Sequence, residues 1–140
     1  LRPCPFWGLL GFGGVLTNVE DLHRLVLALE SHVVLNEASV EQLFTPYIRE
    51  YEDGESFYGY GWVVEEHPQF GQLIWHDGAT DSQNAILLNY DDANQTVVVV
   101  LSNKIEEGFL SETFYATDTG FFLGHNVLTE DFSALPDYAQ

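Results

Sequence analysis

A histidine, an aspartate and a serine close together in the middle of the sequence are the residue types of a nucleophilic triad. In such a triad His76 would take the proton of Ser82, and Asp81 would orient the imidazole. The sequence has no Gly-x-Ser-x-Gly turn, the motif that presents the serine in many hydrolases. A complete triad within this segment is therefore disfavoured.

A metal site is the second chemistry that these residues suggest, because His67, His76, Asp77 and Asp81 carry nitrogen and oxygen donors. His76 and Asp77 are adjacent, however, and adjacent residues of a strand point to opposite faces of a sheet. The single cysteine, Cys4, belongs to no grouping with zinc-site spacing. We therefore expect no metal and no other cofactor.

Two segments near the start of the chain have the pattern of amphipathic helices. Thr17-x-x-Glu20 has the form of a capping box, and apolar residues follow it at helical spacing. This pattern predicts a helix from about Asn18 to Ser31. Ser39-x-x-Gln42 predicts a second, short helix that Pro46 ends.

From Tyr58 onward, short aromatic and β-branched runs separated by turn residues predict strands. The predicted strands span roughly Tyr60 to Glu65, Gln72 to His76, Ala85 to Tyr90 and Thr96 to Leu101. Turns at 67–71 and 91–95 favour antiparallel hairpins. The run Val97 to Val100 has no polar alternation, which predicts a strand covered on both faces. The acidic stretch 50–55 is typical of a solvated loop.

Apolar residues after Asn103 predict a further helix packed against the sheet. They are Phe109, Leu110, Phe114, Phe121, Phe122 and Leu123. Gly120 weakens that helix, and we expect an irregular tail from His125 to Gln140. The predicted fold class is α/β (α+β), an antiparallel sheet flanked by helices, in one domain over residues 1–140.

The charge of the chain limits its partners. It has 22 acidic and 4 basic residues, for a net charge of −18. Nucleic acids and anionic membrane surfaces would be repelled. The longest aliphatic run, Val97 to Leu101, is far too short to span a bilayer, so we expect no membrane insertion. In a high-salt environment, counterions would screen the repulsion among these acidic residues. An ordinary acidic secreted or cytosolic protein is the alternative.

Several motifs occur in an order that resembles the C-terminal portion of the class C β-lactamase-like serine hydrolases. They are Gly13-Gly14-Val15-Leu16-Thr17 with Asp21-Leu22, Tyr58-Gly59-Tyr60-Gly61-Trp62, His76-Asp77-Gly78-Ala79, and Val97 to Asn103. That family includes penicillin-binding proteins, D-aminopeptidases and esterases. The resemblance is strongest over residues 11–103. It implies a β-lactamase/transpeptidase-like fold, of which this chain would be the C-terminal portion only.

The resemblance also implies site residues. In the family, a Lys-Thr-Gly or His-x-Gly element lies on the strand beside the nucleophilic serine. Here it is His76-Asp77-Gly78, with His76 near the substrate and Gly78 allowing a close approach. The Ala79 backbone N–H would be an oxyanion-hole donor, and Asp77 and Thr80 would contact the substrate. Asp77 departs from the usual small polar residue and would disfavour anionic substrates.

The nucleophile is not in this sequence. The family's Ser-x-x-Lys and Tyr-x-Asn elements are absent, and both lie N-terminal to the matching segments. The resemblance therefore implies part of a serine hydrolase that cleaves an amide or ester of a small or peptide-like substrate, secreted or periplasmic, and inactive as this chain alone. The alternatives are a non-catalytic remnant or binding module, and an assembly in which another chain supplies the serine. A fragment should also associate through exposed apolar surface.

Overall fold

Two asparagines determine where the first two helices begin. In the computed structural model, which describes residues 13–80, 83–91, 95–103 and 115–131, helix α1 spans Val19–Glu30 and helix α2 spans Glu37–Leu43. The Asn18 and Asn36 side chains each accept a backbone N–H three residues later at 2.9 Å. The predicted helices are confirmed. The caps predicted at Thr17 and Ser39 are wrong, because the asparagines satisfy the free N–H groups of the first turn.

Within the described residues, six strands form one antiparallel sheet, and a third helix follows them. The elements are β1 Ile48–Arg49, β2 Ser56–Tyr58, β3 Val63–His67, β4 Gly71–Ala79, β5 Asn84–Tyr90, β6 Val97–Ser102 and α3 Tyr115–Thr129. Each strand pairs with the next along the chain, so the order is β1-β2-β3-β4-β5-β6. This arrangement of antiparallel sheet and helices confirms the predicted fold class. The acidic stretch 50–55 connects β1 to β2.

The strand predicted from Tyr60 begins later, at Val63. Gly61 has φ of +82°, a left-handed conformation that a regular strand does not contain. Gly59 lies so close to helix α2 that an added Cβ would be 2.7 Å from the Leu43 carbonyl oxygen. These two glycines bring the chain back from α2 before β3 starts.

Helices cover the two faces of the sheet. On one face, Ala116 of α3 joins buried residues of β4 and β5 in the main core: Leu73, Ile86, Leu88 and Tyr90. On the other face, Val26 and Leu29 of α1 lie over Ile74 and Leu87. The core therefore has two layers, with β4 and β5 buried between them.

Strand β6 contacts both α1 and α3, which confirms the prediction that Val97 to Val100 is covered on both faces. These valines are only half-buried. The reason is their position at the edge of the sheet, where no strand of the described residues pairs with the outer side of β6.

Helix α3 continues through Thr129, so the irregular tail predicted from His125 is wrong for its first residues. Two glycines one turn apart bring the helix close to the sheet: a Cβ on Gly120 would lie 2.5 Å from Ile86 Cγ2, and one on Gly124 would lie 2.5 Å from the Tyr90 hydroxyl. That close contact keeps the last turn packed, with Asn126 buried. Phe109, Leu110 and Phe114 lie outside the described residues.

Several large apolar side chains are exposed around α1, including Val15, Leu16 and Val33. Association through these side chains stays a prediction. No helix in the described ranges is long and apolar enough to cross a membrane.

Candidate functional site

Strand β4 is longer than the strand on one side of it. Its pairing with β3 ends at Val63 and Trp75, whereas its pairing with β5 continues to Ala79 and Asn84. Residues 76–79 therefore have β5 on one side and no described strand on the other. The predicted site residues His76, Asp77, Gly78 and Ala79 form this segment, which we call the open half of β4.

Backbone hydrogen bonding indicates which groups face the free side. The Thr80 N–H donates to the Gln83 carbonyl at 2.7 Å, toward the β5 side. Successive residues of a strand direct their N–H groups to opposite sides, so the Ala79 N–H points away from β5. The hydrogen-bond donor expected at Ala79 thus faces the free edge of β4.

Side chains of the open half divide between the two faces of the sheet. His76 and Gly78 lie on the α1 face with Ile74, since side chains alternate along a strand. The His76 side chain is exposed, and its ring centroid lies 6.5 Å from that of Tyr58 in an edge-on arrangement. A Cβ on Gly78 would meet nothing within 4 Å. The α1 face of the open half is therefore accessible at His76 and Gly78.

Asp77 points to the opposite face, where it meets helix α3. The Thr117 hydroxyl donates a hydrogen bond to Asp77 Oδ2 at 2.7 Å. Beside it, the Ala116 N–H donates to Asn84 Oδ1 at 2.8 Å. Sequence reasoning missed both contacts, because Thr117 and Asn84 belong to no motif and lie far from their partners along the chain.

The arginines that the structure describes lie away from the open half. Arg24 bonds Glu20 at 2.6 Å and Asp21 at 3.1 Å within α1. Arg49 donates to the Gly54 carbonyl at 2.7 Å and lies over the Phe57 ring. Both arginines in the described part of the chain are thus engaged elsewhere, which leaves His76 as the nitrogen-bearing side chain of the segment.

The other candidate chemistries find little support in the described ranges. No three His, Cys, Asp or Glu side chains there are placed to hold a metal ion. Asp81 and Ser82, considered for a triad, lie outside the described residues. Thr80, predicted to bind substrate, is exposed in the turn after β4.

Two perturbed acids lie at the other end of β4, on the α3 face. Burial raises the pKa of the Glu65 carboxyl. The Trp75 indole N–H partly offsets this rise, although it does not reach hydrogen-bonding geometry, and the Glu50 carboxylate adds to the rise. Burial, with a smaller effect of the Glu65 charge, raises the pKa of the Tyr90 phenol to about 12. Neither group lies in the open half.

A comparison with family models identifies the family. The beta-lactamase family model matches residues 2–118, well over half of the chain. The chain belongs to the beta-lactamase family. The match includes all of the open half of β4 and the start of α3.

One relative agrees with this membership, and one solved structure agrees with the fold. Penicillin-binding protein 4* of Bacillus subtilis (strain 168) is 34% identical over 101 residues, which cover 71% of this chain and 22% of that protein. The crystal structure of a penicillin-binding protein from Bacillus halodurans is similar with a TM-score of 0.59 and 22% identity, over 78% of this chain and 29% of that one. The second likeness shows the fold alone. The chain spans about a fifth of the length of the curated relative.

Proposed function

We propose that this chain forms one wall of the acyl-transfer cleft of a beta-lactamase-type serine hydrolase, in a protein whose remaining part carries the nucleophilic serine. His76 lies at the mouth of the cleft, and Gly78 leaves room for the substrate. The Ala79 N–H binds the negative charge that develops on the carbonyl oxygen during attack. The reaction is transfer of an amide or ester acyl group to serine, followed by hydrolysis.

The direction of the Ala79 N–H is the observation that carries this proposal. A donor at the free edge of a strand is available to a substrate, whereas one inside a ladder is already bonded. The accessible face at Gly78 supports it, because a bulky side chain there would stand between the strand and a substrate.

The test uses the longest natural form of the protein and a fluorescent penicillin or fluorophosphonate probe, with mass spectrometry to locate the label. We expect covalent labelling of a serine in a Ser-x-x-Lys element that lies outside these 140 residues. No labelling of that form would support the alternative, a non-catalytic beta-lactamase-like module.

A matched pair of variants tests the role of the wall itself. Ala79→Pro removes the N–H without breaking the β5 ladder, and loss of one oxyanion donor slows acylation about 100-fold. Ala79→Gly keeps the N–H and should acylate within about threefold of the wild type, since it changes only backbone freedom. Circular dichroism and the thermal midpoint establish that both variants fold. Equal acylation by the two would exclude Ala79 from the cleft.

A further inference from the structure

The open half of β4 is held by helix α3 as well as by β5. Two hydrogen bonds join the start of α3 to the strands: Thr117 to Asp77, and the Ala116 N–H to Asn84, at 2.7 and 2.8 Å. Asn84 is the β5 residue opposite Ala79. One bond therefore reaches the open half itself, and the other reaches the β5 residue paired with Ala79.

This support matters because, among the described residues, the segment is paired with a strand on one side only. Backbone with few neighbours and exposed hydrogen bonds opens locally at low free energy. An oxyanion donor, in contrast, must keep its direction, since a displacement of about 1 Å can cost 100-fold in rate. The open half therefore needs a fixed contact on the face opposite the substrate.

Helix α3 is suited to supply that contact, because it is itself held firmly against the sheet. Ala116 is fully buried. Gly120 brings the helix axis close to Ile86. The Phe121 ring packs edge-on against Trp75 at 5.3 Å between centroids. These contacts fix the helix next to Thr117.

We propose that Asp77 is a positioning residue, held by Thr117 of α3, that fixes the direction of the Ala79 N–H for acyl transfer. The assignment rests on the proposed function of the open half. It replaces a direct contact between Asp77 and substrate, because the carboxylate points to the α3 face while His76 and Gly78 point to the other. Asp77 acts through the backbone that it shares with Gly78 and Ala79.

The kinetic experiment compares two substitutions of one residue in the full-length protein. Thr117→Val keeps the shape and removes the hydroxyl, whereas Thr117→Ser keeps the hydroxyl. With a fluorescent penicillin, Thr117→Val should lower the maximal acylation rate about tenfold and leave the half-saturating concentration within about twofold, as for lost orientation. Thr117→Ser should restore the rate to within about twofold. Thr119→Val, the same change two residues further along α3, is the control.

Hydrogen exchange gives a second readout that does not need catalysis. The peptide that contains residues 76–79 should exchange faster in Thr117→Val than in the wild type and in Thr117→Ser. Exchange of the buried part of β5 should not change. A lower thermal midpoint with an unchanged acylation rate per folded molecule would mean a merely structural contact and would overturn the proposal.

Asp77→Asn separates positioning from substrate contact. The amide oxygen still accepts the Thr117 hydroxyl, so positioning predicts the same relative change in acylation rate with anionic and with neutral probes. A change in charge preference in Asp77→Asn, with none in Thr117→Val, would instead make Asp77 a substrate contact. If the wild type forms no acyl-enzyme, the proposed function fails. In that case, unchanged exchange at residues 76–79 in Thr117→Val would reject the contact as well.

Discussion

The two halves of β4 differ in what surrounds them, although they belong to one strand. The first half, Gly71–Trp75, lies between β3 and β5 and carries the buried Leu73 and Ile74. The open half pairs with β5 and with no other strand that the structure describes, and it carries the exposed His76 and Gly78. The first half therefore contributes to stability, and the open half leaves His76 and Gly78 accessible at small cost in stability. A single long strand next to a shorter one is enough to separate these roles.

The largest effect that this comparison predicts is on the free energy of unfolding. Leu73→Ala should cost about 2–5 kcal/mol, because Leu73 is 1% exposed in the main core. His76→Ala, on the same strand, should cost less than about 0.5 kcal/mol because the side chain is exposed. Urea unfolding of the two variants measures both. A cost for His76→Ala as large as that for Leu73→Ala would break the division between the halves.

Two glycines sharpen the comparison. Gly120→Ala should cost about 1–3 kcal/mol, since the new methyl group would overlap Ile86 in the packed interface of α3 with the sheet. Gly78→Ala meets nothing within 4 Å and should leave stability within about 0.5 kcal/mol. Thermal unfolding monitored by circular dichroism compares them. A Gly120→Ala variant as stable as the wild type would contradict the close packing of α3 against Ile86.

A smaller effect concerns pH and the first half of β4. Glu65 lies opposite Leu73, and burial raises the pKa of its carboxyl in the folded protein. Protonation of Glu65 therefore favours the folded state. The stability that it provides is fully present below the ordinary pKa of the carboxyl and is lost as pH rises through the raised pKa of the folded protein. Glu65→Gln should therefore add about 0.5 kcal/mol at pH 7, allowing for partial exposure, and nothing near pH 3.5.

Glu66→Gln is the matched control, because Glu66 is the next residue of β3 and is exposed. Urea unfolding at both pH values should show little difference between this variant and the wild type. A pH dependence of Glu65→Gln no different from that of Glu66→Gln would contradict the effect of burial on Glu65.

Local sequence signals predicted the helices and the long strands. α1 has apolar residues at helical spacing and a polar start, which is a signal that one segment carries alone. β1 and β2 have two and three residues, too few for a period to be detected, so they were missed. The end of α3 was missed because its glycines, normally unfavourable in a helix, are required here by packing against β5.

The candidate site was predictable only in part, for a related reason. The motif His76-Asp77-Gly78-Ala79 is contiguous, and its resemblance to a family element identified it. Thr117 and Asn84 could not be found in this way: the bond of Thr117 to Asp77 spans 40 positions, and that of Ala116 to Asn84 spans 32. Contacts of this kind depend on the tertiary fold, and no spacing rule along the chain predicts them.

The edge position of β6 has a consequence for handling the protein. The outer side of its four consecutive valines pairs with no strand of the described residues, and such an edge is a template on which another strand can add. The net charge of −18 opposes this addition, because two such chains repel each other until salt screens them. Colloidal behaviour of the isolated 140 residues should therefore depend on ionic strength: dilute buffer keeps the chains apart, and concentrated salt promotes strand-to-strand growth into larger particles.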